Sequence, residues 1–134
     1  MNLFGAVRGD PAWQSEWELY AVLVSVVAFS DIIKHKKIAI QTDNTATMRA
    51  SMVLKSPTAT MNAIASEISL RIDRYRTIFE IAEHIPGLLN HIADSLSRLS
   101  EGAKLPECLE AAQRFPAPSR TRDSGFLICW PQDW

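Results

Sequence analysis

Three carboxylates stand where chemistry could be done. Residues 78–98 read IFEIAEHIPGLLNHIADSLSR: an apolar stretch runs into Pro86-Gly87, and a helix-like segment follows that carries Asn90, Asp94, Ser97 and Arg98. Pro and Gly end the strand, and helical spacing puts Asn90 and Asp94 one turn apart on one face. His84 precedes the turn. Asp43 closes a second strand-like stretch, residues 37–42, and Asn44 follows it. Ligand-binding residues in α/β sheets gather at the carboxyl ends of strands. Asp43 could equally serve as a helix cap. Glu18 lies near the start of a long apolar run, where a carboxylate is costly unless a cation or another partner offsets it. Three hard oxygen ligands at element ends suggest a divalent-cation site. Such sites suit phosphodiester chemistry, in which two metals activate water and stabilise the leaving oxygen.

The elements that must position these groups follow from patterning. With 134 residues and 47% hydrophobic content, the chain suits one globular domain rather than a disordered segment. A net charge of −1 leaves no global basic footprint, so any nucleic-acid contact must be local. Cys108 and Cys129 form neither a metal motif nor a disulfide framework, and the first ten residues lack the pattern of a signal peptide. An intracellular, non-secreted protein is expected. The run from Leu19 to Phe29 is too short to span a bilayer, so no membrane association is expected.

Residues 3–8 could form a short strand closed by Gly9-Asp10-Pro11. Residues 12–33 read as one buried helix, with Ser15 as N-cap and Glu16 answering the helix dipole. Periodicity groups Glu18 with Ala21, Val22 and Ser25 on the stripe expected to face the protein. Lys34-His35-Lys36-Lys37 is a basic loop, either a solvated turn or a phosphate contact. Residues 37–42 alternate as a strand. Asn44 or Thr45 can cap a helix over 46–54 that buries Met48 and Met52. Ser56-Pro57 starts another, with Met61, Ile64, Ala65, Ile68, Ile72 and Tyr75 inside and Glu67, Arg71 and Arg74 on the solvated face. A strand over 77–85 follows. Residues 101–134 read as a Pro- and Arg-containing, loosely ordered tail with a short helix over 105–114. Trp130 and Trp134 are possible anchors for a protein partner.

Over residues 13–98 the sequence resembles the ribonuclease H domain of retrotransposon-type reverse transcriptases. The carriers are Glu18-Leu19-Tyr20-Ala21, Ile40-Gln41-Thr42-Asp43-Asn44, and the segment from His84 to Arg98, in which His84, Asn90 and Asp94 match the family's H-x5-N-x3-D spacing. The resemblance implies an α/β fold, a ribonuclease H-like mixed sheet flanked by helices, over residues 1–100. It implies metal-dependent endonucleolytic cleavage of RNA in RNA/DNA hybrids. Glu18, Asp43 and Asp94 would hold Mg²⁺ or Mn²⁺, and His84 would assist proton transfer or product release. Asn44, Asn90 and Arg98 would contact nucleic acid, and a reverse transcriptase domain of the same polyprotein would be the partner. The family's first catalytic Asp sits on an earlier strand. Asp10 is the sole Asp before Glu18 and lies in a turn, so an N-terminally truncated domain with impaired cleavage is expected. A non-catalytic nucleic-acid-binding or tether remnant of the fold, and a protein-interaction domain, are the alternatives.

Overall fold

The computed structural model describes residues 11–53, 58–87 and 90–112. The expected strand over 3–8, the Ser56-Pro57 helix start, Asp10, Cys129 and the Trp130 and Trp134 anchors lie outside them. A single 3-10 turn, Pro11–Trp13, leads into α1 (Gln14–Ala28) and the short α2 (Ser30–Ile33). Strand β1 (Lys37–Thr42) follows, then α3 (Thr45–Val53), α4 (Ala59–Tyr75), β2 (Ile78–His84) and α5 (His91–Ser97). Beyond α5 the chain makes 3-10 turns at Leu99–Glu101 and Glu107–Leu109. The second of these stands where a helix over 105–114 was expected.

The architecture is mixed α/β, a parallel sheet flanked by helices. Among the described residues the sheet has two strands. β1 and β2 run parallel in a register from Lys37 opposite Ile78 to Thr42 opposite His84. Parallel neighbours require a long crossover, and α3 and α4 supply it. The register slips between Ile38 and Ala39, leaving Glu80 as the extra residue of β2. There the Glu80 carboxylate accepts from Lys37 Nζ at 3.2 Å. No helix among the described residues is long and apolar enough to cross a membrane.

The core forms where α1 lies against α4, with α3 packed on both helices and on both strands. Leu19, Tyr20 and Leu23 of α1 meet Ala50 of α3 and Met61, Ile64, Ala65 and Ile68 of α4. Ile72 and Phe79 pack against this cluster. Trp17 lies edge-on to Tyr20, with ring centroids 6.3 Å apart. Burial pushes the Tyr20 hydroxyl well above its ordinary range. Of the stripe expected on α4, Met61, Ile64, Ala65 and Ile68 are buried, and Ile72 and Tyr75 are half-buried.

Several local expectations are corrected. The stretch read as one helix forms two, Gln14–Ala28 and Ser30–Ile33, with the break at Phe29. The buried stripe of α1 is Glu16, Leu19, Tyr20, Leu23 and Val26, while Ala21 and Ser25 are exposed. Ser15 does not cap α1. Trp13 holds the cap position without a side-chain bond. In α3 the buried residues are Thr47, Ala50 and Ser51, and Met52 is exposed. The N-cap of α4 is Thr58, whose hydroxyl accepts from Met61 N at 3.3 Å.

The largest correction concerns Glu67 and Arg71, read as solvated surface. Both are buried, and Arg71 Nε donates to Glu67 Oε1 at 2.9 Å one helical turn away. Burial works against the Arg71 charge, but the Glu67 carboxylate and the Tyr75 hydroxyl outweigh it and hold the guanidinium charged. Arg74, the third residue of that set, is exposed as expected. A lone charge at this depth is far more costly than the pair. Arg71→Met alone should lower stability by about 3–5 kcal/mol in chemical denaturation, and Glu67→Leu/Arg71→Met together should recover most of that loss.

Among the described residues, two adopt left-handed backbone without being glycine: His35 (φ 61°) and Arg76 (φ 53°). Arg76 is the C-cap of α4, where glycine is usual because it has no Cβ to clash. Arg76→Gly should raise stability by about 1 kcal/mol, visible as a higher Tm.

Candidate functional site

The site begins at the turn between β1 and α3. Thr42 ends the strand buried, and its Oγ1 accepts from Asn44 N at 3.1 Å. Asn44 then does two things with one amide. Its Oδ1 accepts from Ala46 N (2.9 Å) and Thr47 N (3.0 Å), capping α3 as expected. Its Nδ2 donates to Ser15 Oγ at 3.1 Å in the first turn of α1. Thr47, fully buried, adds a bond from Oγ1 to the Ser15 carbonyl at 3.3 Å. The two helix starts are thereby fixed to each other. Glu18, one turn along α1 from Ser15, is brought within electrostatic reach of Asp43.

Glu18 is half-buried. Gln14 Nε2 donates to its Oε1 at 3.1 Å, while its Oε2 is buried with only the Asn44 and Thr42 side chains as distant, weak donors. Burial pushes its carboxyl above the ordinary value of 4.5. The Gln14 amide opposes that rise, the Asp43 charge adds to it, and the polar side chains of Asn44 and Thr42 oppose it.

The end of β2 closes over the same turn. Ile85 N donates to the Thr42 carbonyl at 2.9 Å, and the His84 ring reaches the Asp43 carbonyl from Nε2 at 3.0 Å. A carbonyl only accepts, so this contact selects the tautomer with its proton on Nε2. Gly87 passes directly beside Asp43: a Cβ there would lie 3.6 Å from Asp43 Oδ2.

Asp94 is placed differently. Asn90 heads α5, donating from N to the Gly87 carbonyl and accepting Asp94 N at its own carbonyl, both at 3.0 Å. The Asp94 carboxylate is exposed and accepts from Arg98 Nε at 3.2 Å. Among the described residues, no three or more His, Cys, Asp and Glu side chains come together as a metal-binding group. The geometry therefore joins Glu18, Asp43 and Asn44, sets His84 on the Asp43 backbone, and leaves Asp94 and Arg98 as a pair of their own. The residues that position the cluster, Gln14, Ser15, Thr42 and Thr47, carry one visible signal: Asn44 and Thr47 stand three apart at a helix start, as a cap and its first buried partner do.

The donor set bears on whether a cation fits. Two carboxylates within electrostatic reach repel, and a buried carboxylate oxygen with only weak donors is costly. A hard divalent cation answers both, and the Glu18 and Asp43 oxygens are ligands of the right kind. No family model matches the chain, and no curated protein or solved structure is significantly similar to it.

The raised Glu18 value has a stability consequence of definite sign. Its neutral form is favoured in the folded state. The stability that Glu18 contributes is present below its unfolded value, near 4.5, and is lost as pH rises through the higher folded one. Glu18→Gln should therefore melt with the native chain near pH 4 and above it at neutral pH. Melting curves of both proteins across that range test this, and a constant offset at every pH would refute it.

Proposed function

We propose that this chain is a ribonuclease H-like module of a retroelement reverse transcriptase, acting on RNA/DNA hybrids through a divalent cation. The observation that carries the reading is the Glu18–Asp43 pair. It lies at the carboxyl end of a parallel strand, has a buried, weakly satisfied carboxylate oxygen on Glu18, and is followed at β2 by the His84, Asn90, Asp94 spacing. Glu18 and Asp43 would hold Mg²⁺ or Mn²⁺, which supplies Lewis acidity and an activated water to phosphodiester hydrolysis. His84, anchored on the Asp43 carbonyl, is placed to carry a proton at its Nδ1, which that bond leaves available. Asn44 and Asn90 offer amides to a substrate, and 2′-hydroxyl recognition would select the RNA strand.

A second reading is favoured by one specific observation. The Asp94 carboxylate is engaged by Arg98, and no third ligand joins Glu18 and Asp43 among the described residues. A two-carboxylate site binds a cation but is poorly equipped for two-metal cleavage. On this reading the module holds hybrid without cutting it.

Titration of Mn²⁺ into the chain separates these outcomes. At about 100 times its Kd, the ion should stabilise the native chain by about 2.7 kcal/mol, and Asp43→Asn should remove that gain. Cleavage of a labelled hybrid, lost in Asp43→Asn, supports the nuclease reading. Cation binding without cleavage supports the second. Cation binding indifferent to Asp43 sinks both.

A further inference from the structure

The opposite end of the sheet from the carboxylates carries a different chemistry. The chain enters β1 through Lys34, His35, Lys36 and Lys37, and enters β2 through Arg74, Tyr75 and Arg76. These loops are far apart in sequence and are joined in the fold by three bonds. His35 N donates to the Tyr75 carbonyl (3.0 Å), Ile78 N to the Lys36 carbonyl (3.0 Å), and Thr77 Oγ1 to the Ile33 carbonyl (2.9 Å). Lys34, Lys36, Arg74 and Arg76 are all exposed, and none is within salt-bridge distance of a carboxylate among the described residues. Lys37 alone is neutralised, by Glu80. Asp31 and Asp73 are the exposed acidic residues on the adjoining helices, Glu67 of α4 being buried against Arg71, and the exposed cations outnumber them.

The backbone here is costly to hold. The two non-glycine residues with positive φ among the described residues, His35 and Arg76, are the two that turn these loops. Glycine would adopt either conformation without the Cβ clash. Cation-capable side chains stand there instead, and strain kept at one place is a pointer to use.

The geometry points to this paired-loop surface as a second, metal-independent contact for the phosphate backbone of nucleic acid. The backbone bonds between the two segments set Lys34 and Lys36 beside the end of α4, where Arg74 and Arg76 stand, a grouping of cations suited to phosphates. Arg74 and Arg76 add the planar fork that matches a phosphate. The six residues of β1 separate this surface from Asp43 by about 20 Å, the length of about six base pairs. The choice of nucleic acid over an anionic membrane rests on the function proposed above. Exposed Ile32 and Ile78 beside the loops make lipid the competitor to be tested.

The test uses the full chain in EDTA, so that no cation bridges Glu18 and Asp43 to the probe. Binding of a fluorescent 20-base-pair RNA/DNA hybrid is measured against salt for the native chain, for Asp43→Asn, and for Lys34→Gln/Lys36→Gln/Arg76→Gly. Glycine at 76 suits the left-handed backbone, and a melting curve confirms that the variant folds. The triple variant should bind about tenfold more weakly at 0.1 M salt. The slope of log affinity against log salt should fall by about 2 to 3 in magnitude, nearly one for each phosphate contact removed. Asp43→Asn should keep the native slope. Equal binding by the triple variant, no binding of hybrid by the native chain, or binding only to phosphatidylserine vesicles overturns the proposal. Hybrid binding through the loops together with cation binding indifferent to Asp43 would instead sustain this surface and remove the hydrolase reading.

Discussion

The fold depends on one side-chain amide. Asn44 caps α3 with its oxygen and grips α1 through Ser15 with its nitrogen. A hydroxyl or carboxylate cap could satisfy the α3 amides, but only an amide also carries two donors on the same group. The bond to Ser15 sets the start of α1 beside the end of β1. From that follow the approach of Glu18 to Asp43, the burial of Thr47 between the helices, and the seating of Leu19 and Leu23 against α4. The site and the core are thus two results of one junction.

What could be read from the sequence was what local rules encode. β1 was legible to the residue, because alternation and β-branching over Lys37–Thr42 have no helical competitor. The apolar stripe of α4 was equally plain, since Met61, Ile64, Ala65 and Ile68 repeat at helical spacing. Charges counted one residue at a time put Glu67 and Arg71 in solvent, yet an i,i+4 pair neutralises itself and can enter a core together. Ser15 looked like a cap of its own helix and is instead the partner of a cap 29 positions away. Met52 gave way to Ser51 because α3 meets α1 and α4 closely, and small residues let helices approach.

Within the candidate site, Glu18, Asp43, Asn44 and His84 were legible as neighbours of element ends. Spacing placed Asp94 one turn from Asn90, and the structure agrees. Spacing carries no information on where its carboxylate points, and Arg98, one further turn along α5, takes it. The basic loop over 34–37 was visible as a charge run. Its union with Arg74 and Arg76 was not, since it is made by strand pairing between distant segments.

That pairing also orders events in time. Asp43 and His84 lie 41 positions apart, and their contact needs β2 to dock beside β1 across the whole of α3 and α4. Parallel pairing over such a separation bears the loop-closure entropy before any strand contact offsets it, so it is a slow step compared with helix formation. On a ribosome adding about 5–20 residues per second, the α1–α3 junction emerges seconds before residue 84 does. The carboxylate pair is therefore assembled first and its histidine arrives last, so for part of its synthesis the growing chain exposes the acidic cluster with an open strand edge beside it.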